Sequence, residues 1–108
     1  MEYKLEIYAP ETEVIAIRDA LNFVGAGIVG NYDSVIAVAK VSCFCRPNEH
    51  AHPVNGEKNQ INFSHEVRID VRCQGDRVAD AVKAIKRVHS GEEPIINVIA
   101  LANDAFGC

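Results

Sequence analysis

The feature that most constrains the fold of this chain is a strict alternation of apolar and charged side chains within residues 65–73. The apolar positions are Val67, Ile69, Val71 and Cys73, and the charged positions are Glu66, Arg68, Asp70 and Arg72. Successive side chains of a strand point to opposite faces, so this pattern predicts a strand with one buried and one charged face. The chain must therefore build a sheet that is covered on at least one side.

The rest of the chain supplies the other elements of a small α+β domain. Period-two patterns or apolar runs predict further strands at 2–9, 34–46 and 95–101, and helical spacing predicts helices at 11–24 and 77–89. A polar stretch with two prolines, residues 47–62, predicts a long loop between strands 2 and 3. We expect one domain over residues 1–101 and a short, loose tail at 102–108.

The order strand, helix, strand, strand, helix, strand is typical of a ferredoxin-like βαββαβ fold, in which two helices cover one face of a four-stranded antiparallel sheet. The length of 108 residues and the apolar fraction of 48% fit one globular domain.

The second face of this sheet is not expected to be wholly polar. Five apolar residues cannot all point at the helices: Ile36, Val38, Ile95, Ile99 and Leu101. Exposed apolar faces of this kind usually pack on another subunit, so the sequence predicts a homo-oligomer.

Charge and hydropathy weigh against several classes of function. The net charge of −4 and the lack of a basic run argue against nucleic-acid binding. No apolar run approaches the roughly 20 residues that span a membrane, and no pattern resembles a signal peptide. We therefore expect a cytoplasmic protein with reduced cysteines at Cys43, Cys45, Cys73 and Cys108.

Three groups of residues are candidates for chemistry. The glycines of segment 25–30 match G-x-G-x-x-G, but they follow a helix and precede a strand, which is the reverse of a dinucleotide site. His50 and His52, with Cys45, have side chains that bind divalent metals, although their spacing is no standard zinc signature and a solvated loop is the favoured explanation. We predict no cofactor, and a divalent metal is the one cofactor that these residues could bind.

The third group is His89, Glu92 and Glu93, which follow the second predicted helix. A histidine beside carboxylates can hold a ligand or transfer a proton, and a charged helix end is the simpler explanation. No nucleophile arrangement accompanies the group, so the residues indicate no catalytic constellation.

Two segments resemble motifs of the inserted domain of the Nif-three family (YqfO-type proteins). Gly25–Asp33 reads GAGIVGNYD and resembles that domain's GAG-x-x-GNY segment, while residues 89–94 read HSGEEP and resemble its HPYEEP segment. Residues 44–47 and 55–57 are similar to its F-x-P…G stretch. The resemblance covers residues 3–101, with departures at Ser90-Gly91 and at Val35, where the family usually has Pro-Tyr and a cysteine.

The resemblance implies a fold similar to CutA and PII signalling proteins, which assemble as trimers. The family's two-metal centre lies in flanking domains, so it is not carried over to this chain. The matching positions, Gly27, Gly30, Asn31, Tyr32, His89, Glu92 and Glu93, are the candidate ligand-binding residues. We expect the turns after the two helices to lie at the same end of the two helices and to border one cleft, either at the subunit surface or between subunits.

These observations predict a non-enzymatic regulatory or binding module that takes a small molecule or a partner protein, with the loop 47–62 reaching toward the partner. Two alternatives stay open. One is a divalent metal-binding protein of CutA type, and the other is a small hydrolase that uses His89 with Glu92 or Glu93.

Overall fold

A computed structural model describes residues 1–54 and 56–108, and Asn55 of the loop and of the F-x-P…G stretch lies outside the described residues. The elements follow the predicted order: β1 Glu2–Ala9, α1 Val14–Phe23, β2 Ala37–Cys45, β3 Asn62–Gln74, α2 Val78–Val88 and β4 Ile96–Ala100. Short 3-10 turns precede both helices, at Glu11–Glu13 and Gly75–Arg77. A third, Asn103–Phe106, lies in the tail that was expected to be loose.

The four strands form one antiparallel sheet in the order β2-β3-β1-β4. The register places Leu5 opposite Val71 and Ile7 opposite Ile69, so the apolar positions of the two central strands share one face. Both helices cover that face, and the ferredoxin-like βαββαβ fold is confirmed.

The core lies between the sheet and the helices. Ile17 and Leu21 of α1 and Ala81 and Ile85 of α2 are buried against the central strands. Ile15, which continues the apolar spacing of α1 in the sequence, is 62% exposed. A helix of ten residues needs only a narrow stripe to cover this sheet, and Ile15 lies outside it.

The other face of the sheet, called here the open face, carries ion pairs at its centre. Lys4 lies 3.2 Å from Glu6 and 3.8 Å from Asp70, and Arg68 lies 3.0 Å from Asp70. These side chains belong to β1 and β3, the two central strands.

The outer strands of the open face are apolar, but not through all of the residues that we predicted. Val38 pairs with Ile69 and Ile36 packs on the core, so both face the helices. Ile99 pairs with Lys4 on the open face, where β2 presents Ala37, Ala39 and Val41 in register with charged residues of β3. The open face therefore has two apolar margins around a charged centre.

β2 and β3 continue past the end of β1 as a two-stranded ribbon. The last pair of β1 is Ala9 with Val67, whereas β2 and β3 go on pairing as far as Cys45 with Asn62. The rings of Phe44 and Phe63 lie 5.1 Å apart on this ribbon. β3 thus begins earlier than predicted, and the long loop joins the tip of the ribbon rather than the body of the sheet.

In the part of the chain that the structure describes, no helix is long and apolar enough to cross a membrane.

Candidate functional site

The two segments with family-like motifs lie at opposite ends of the domain, so the expectation of one cleft within a chain is wrong. Gly27 donates its backbone N–H to Arg72 O, near the start of β1, whereas His89 bonds to Tyr8 O at the end of β1. Each helix returns antiparallel to the strand before it, and β1 and β3 are themselves antiparallel. The C-terminal ends of α1 and α2 must therefore point in opposite directions, and a shared cleft would need two copies of the chain.

Backbone hydrogen bonds hold the turn after α1 against β3. Gly27 is buried, its φ is +77°, and its carbonyl accepts the backbone N–H of Val35 while its own N–H donates to Arg72. Val29 and Tyr32 exchange backbone hydrogen bonds, so Gly30 and Asn31 form a tight turn between them. Of the four residues predicted here, the structure gives Gly27 a packing role and leaves Gly30, Asn31 and Tyr32 exposed.

A cavity of about 370 Å³ adjoins this turn at the open face. Its lining mixes apolar and charged residues, among them Val29, Val35, Ala37, Leu101, Lys4, Asp70 and Arg72. We call it the open-face cavity.

The segment after α2 is held in place by the imidazole of His89. Its Nε2 lies 2.7 Å from Tyr8 O, and its Nδ1 accepts the backbone N–H of Gly91 at 2.8 Å. Because Nδ1 accepts a hydrogen bond, it carries no proton in this arrangement. Nε2 must therefore carry the ring proton and donate a hydrogen bond to the carbonyl of Tyr8. Both nitrogens of His89 are thus used within the fold.

Two carboxylates extend this network to neighbouring elements. Glu13, at the start of α1, accepts hydrogen bonds from the backbone N–H and the hydroxyl of Ser90. Glu92 accepts the backbone N–H of His52 at 2.8 Å, a contact between residues 40 apart in the sequence. This hydrogen bond, which we call the clasp, therefore holds the long loop against the segment after α2.

A second cavity of about 420 Å³ lies behind this clasp. The ribbon, the loop and the segment after α2 bound it, and its lining includes Pro10, Cys45, Pro53, Val54, Phe63, His65, Glu66, His89 and Glu92. We call it the loop cavity. It contains His89 and Glu92 of the predicted set, while Glu93 lines a smaller neighbouring depression.

Sequence reasoning missed Phe63, His65 and Glu66 as residues of a site. The strand was predicted to begin at residue 65, so Phe63 lay outside it. His65 and Glu66 lay inside it, and only the fold shows that this part of the strand lines a cavity. The available signal was the alternation itself, which extends back through Phe63 and Ser64.

The predicted metal residues are not brought together. His50 is 85% exposed and its Nε2 lies 3.5 Å from Glu49, whereas Cys45 lines the loop cavity. Within residues 1–54 and 56–108, no three histidine, cysteine, aspartate or glutamate side chains form a group that could hold a metal ion.

Comparison with curated proteins gives a consistent result, although no family model matches the chain. It is 30% identical to a GTP cyclohydrolase 1 type 2 homolog of Halalkalibacterium halodurans over 94% of its own length and 27% of that protein's. A homolog of the same name from Listeria innocua is 32% identical over 95% of this chain and 28% of the relative. The chain thus spans just over a quarter of the relatives' length.

Solved structures agree with these sequence matches. A Bacillus cereus protein related to NIF3 superposes with a TM-score of 0.83 at 26% identity, over 94% of this chain and 26% of that one. The CutA protein of Archaeoglobus fulgidus, a periplasmic divalent cation tolerance protein, superposes with a TM-score of 0.69 at 18% identity, over 94% and 85% of the two chains. The chain fits a NIF3-type domain with a CutA/PII-like fold. The CutA likeness shows the fold alone.

The thiols of the chain include two with raised pKa values. Burial, then the nearby Glu66 and Cys45, raises the pKa of the Cys43 thiol. Burial also raises the pKa of Cys73, with Asp76 adding to the effect. These raised pKa values favour the protonated thiol, which is a poorer nucleophile and metal ligand than the thiolate.

Proposed function

We propose that this NIF3-type domain is a self-associating binding module without a reaction of its own, and that its ligand site is the loop cavity. The observation that carries the proposal is the clasp between His52 and Glu92, which closes the long loop over a concave space. Concave spaces with apolar walls and a few polar groups are the usual form of small-molecule sites.

The geometry of His89 supports binding rather than catalysis. A general base needs a free lone pair and a nucleophile within hydrogen-bond reach, and both nitrogens of His89 bond to the backbone. Glu92 accepts a hydrogen bond from the backbone N–H of His52 rather than from the imidazole of His89. The hydrolase alternative thus finds no acid–base pair in this arrangement, and His89 acts instead as a wall of the cavity.

The open face supports the self-association part of the proposal. Its apolar margins lie on β2 and β4, which are also the two unpaired edges of the sheet. A second copy can cover these margins and place its own charges against the ion pairs at the centre. We propose a homo-oligomer, with a trimer as the arrangement that the CutA/PII-like fold favours, and a partner protein that contacts the loop at residues 47–62.

A fragment screen followed by NMR tests the ligand site. We expect small molecules that bind ¹⁵N-labelled protein to shift the backbone amides of His65, Ser90 and Gly91 at the loop cavity. Amides of Gly25 and Arg77, at the other end of the domain, serve as internal controls. Hits confined to the open-face cavity, or no hits that shift the loop-cavity amides, would contradict the assignment of the site.

A further inference from the structure

We propose that the loop cavity takes a ligand that carries a positively charged amine on an apolar body. The inference rests on the proposed function, since it names the class of ligand for the same cavity. It is drawn from the kinds of side chain that line the cavity and from the sign of their charges.

The apolar part of the ligand has a matching wall. Phe63 lines the cavity and is 51% exposed, so part of its ring faces open space, and Pro10, Pro53 and Val54 complete the apolar lining. The rings of Phe63 and His65 meet edge to face, with centroids 4.8 Å apart. An aromatic face attracts cations because the ring carries negative charge above its plane.

The charged part of the lining is negative. Glu66 and Glu92 are the acidic residues among the described lining of the cavity, and no lysine or arginine is among them. Glu92 gives one oxygen, Oε2, to the backbone of His52, which leaves Oε1 without a hydrogen bond in the described part of the chain. A cation entering the cavity therefore meets negative charge and a ring, whereas an anion meets no lysine or arginine in the described lining.

The neighbouring groups do not reverse this sign. His89 is a neutral imidazole in this arrangement, since Nδ1 accepts the N–H of Gly91. Lys40 lies with Glu11 and Glu66 along one adjacent depression, and Lys86 lies with Glu92 and Glu93 along another, so the carboxylates outnumber the lysine in each. The open-face cavity offers the contrast, because Lys4 and Arg72 outnumber Asp70 there.

Three ring compounds of nearly equal size test the proposal by their charge. Benzylamine is cationic at neutral pH, benzyl alcohol is neutral and benzoate is an anion. In NMR titrations of the ¹⁵N-labelled chain at low salt, we expect benzylamine to shift the amides of His65, Ser90 and Gly91 and to bind at least about fivefold more tightly than benzyl alcohol, with benzoate weakest. Added sodium chloride should weaken benzylamine binding by screening the carboxylates.

Charge-neutralising variants show which carboxylates contribute to benzylamine binding. Glu66→Gln and Glu92→Gln should each weaken benzylamine binding by roughly threefold to fivefold, and the glutamine at 92 retains an oxygen that can accept the His52 N–H. Glu93→Gln is the matched control, because it removes the same charge one residue away but outside the loop cavity. Its affinity for benzylamine should stay within about twofold of the parent protein.

The outcomes separate this inference from the proposed function. Benzyl alcohol or benzoate binding the loop cavity as tightly as benzylamine would overturn the amine preference and keep the cavity as the site. Failure of all three compounds to shift the cavity amides would count against both.

A metal ion is the remaining competitor for the same charges. We expect ZnCl₂ not to displace benzylamine from the loop cavity, either in the parent chain or in the His50→Ala and His52→Ala variants. Displacement by zinc that is lost in His50→Ala or His52→Ala would overturn the amine proposal in favour of a divalent cation.

Discussion

His89 shows how a residue that stands out in the sequence can owe its position to the fold. It follows the last turn of α2 and precedes two glutamates, which is a pattern that acid–base sites share. Its ring joins the end of β1 to the start of the segment before β4, through Tyr8 O and the Gly91 N–H. Removing it would leave a carbonyl and an N–H without partners at a half-buried position.

Replacing His89 should therefore destabilise the domain. We expect His89→Ala to lower the free energy of unfolding by about 1–3 kcal/mol, the value of two backbone hydrogen bonds. His50→Ala is the matched control, because that exposed ring lies 3.5 Å from the Glu49 carboxylate at the surface and its loss should change stability by less than about 0.5 kcal/mol. Urea denaturation followed by circular dichroism measures both, and equal midpoints for the two variants would refute the structural role.

At the scale of elements, the turn from α1 to β2 explains why β2 begins at Ala37 rather than near residue 34. Ser34 has a φ of +56°, and the N–H of Val35 bonds to Gly27 instead of to a neighbouring strand. The glycines indicate a helix stop, which the sequence predicts. The bond from Gly27 to β3 depends on how the helix packs, which no local pattern records.

Gly27 and Gly30 of this turn allow the cost of backbone strain to be measured apart from the cost of a steric contact. A Cβ at Gly27 would lie 3.0 Å from the backbone oxygen of Val35, whereas a Cβ at Gly30 would meet nothing within 4 Å. Both residues have positive φ. We expect Gly27→Ala to cost roughly 1–2 kcal/mol more unfolding free energy than Gly30→Ala. Thermal or urea unfolding measures the difference, and similar costs would mean that the packing of the turn is looser than the structure shows.

At the scale of the whole molecule, the open face is the side of the sheet that the two helices leave uncovered. Its charged centre carries ion pairs within the chain, such as Lys4 with Asp70. Its margins are apolar and solvent-accessible, since Ile99 is 41% exposed on an edge strand. The proposed oligomer would bury these margins.

A single charge on the margin should prevent association. We expect Ile99→Glu to run as a monomer of 11.8 kDa in size-exclusion chromatography with light scattering, where the parent chain runs as a multiple of that mass. A glutamate opposite Lys4 is compatible with the sheet, so the variant should still fold. Ile15→Glu, the same change on the helix side, should leave the oligomer intact. A monomeric parent chain, or equal masses for the two variants, would contradict the interface.

The sequence by itself determined the fold class and which positions of the central strands and helices face the core. Alternation in β3 and helical spacing in α2 are local consequences of backbone geometry, so they can be read from neighbouring residues. The motif resemblance also indicated the correct family neighbourhood.

The tertiary structure decided which distant residues meet. The directions of β1, α1, β3 and α2 put the glycine turn and His89 at opposite ends, which corrected the single cleft. The extension of β3 to Asn62 brought Phe63 to the loop cavity, and the contact between His52 and Glu92 closed the cavity. These contacts join residues far apart in the chain, and their formation depends on the packing of whole elements rather than on any local pattern.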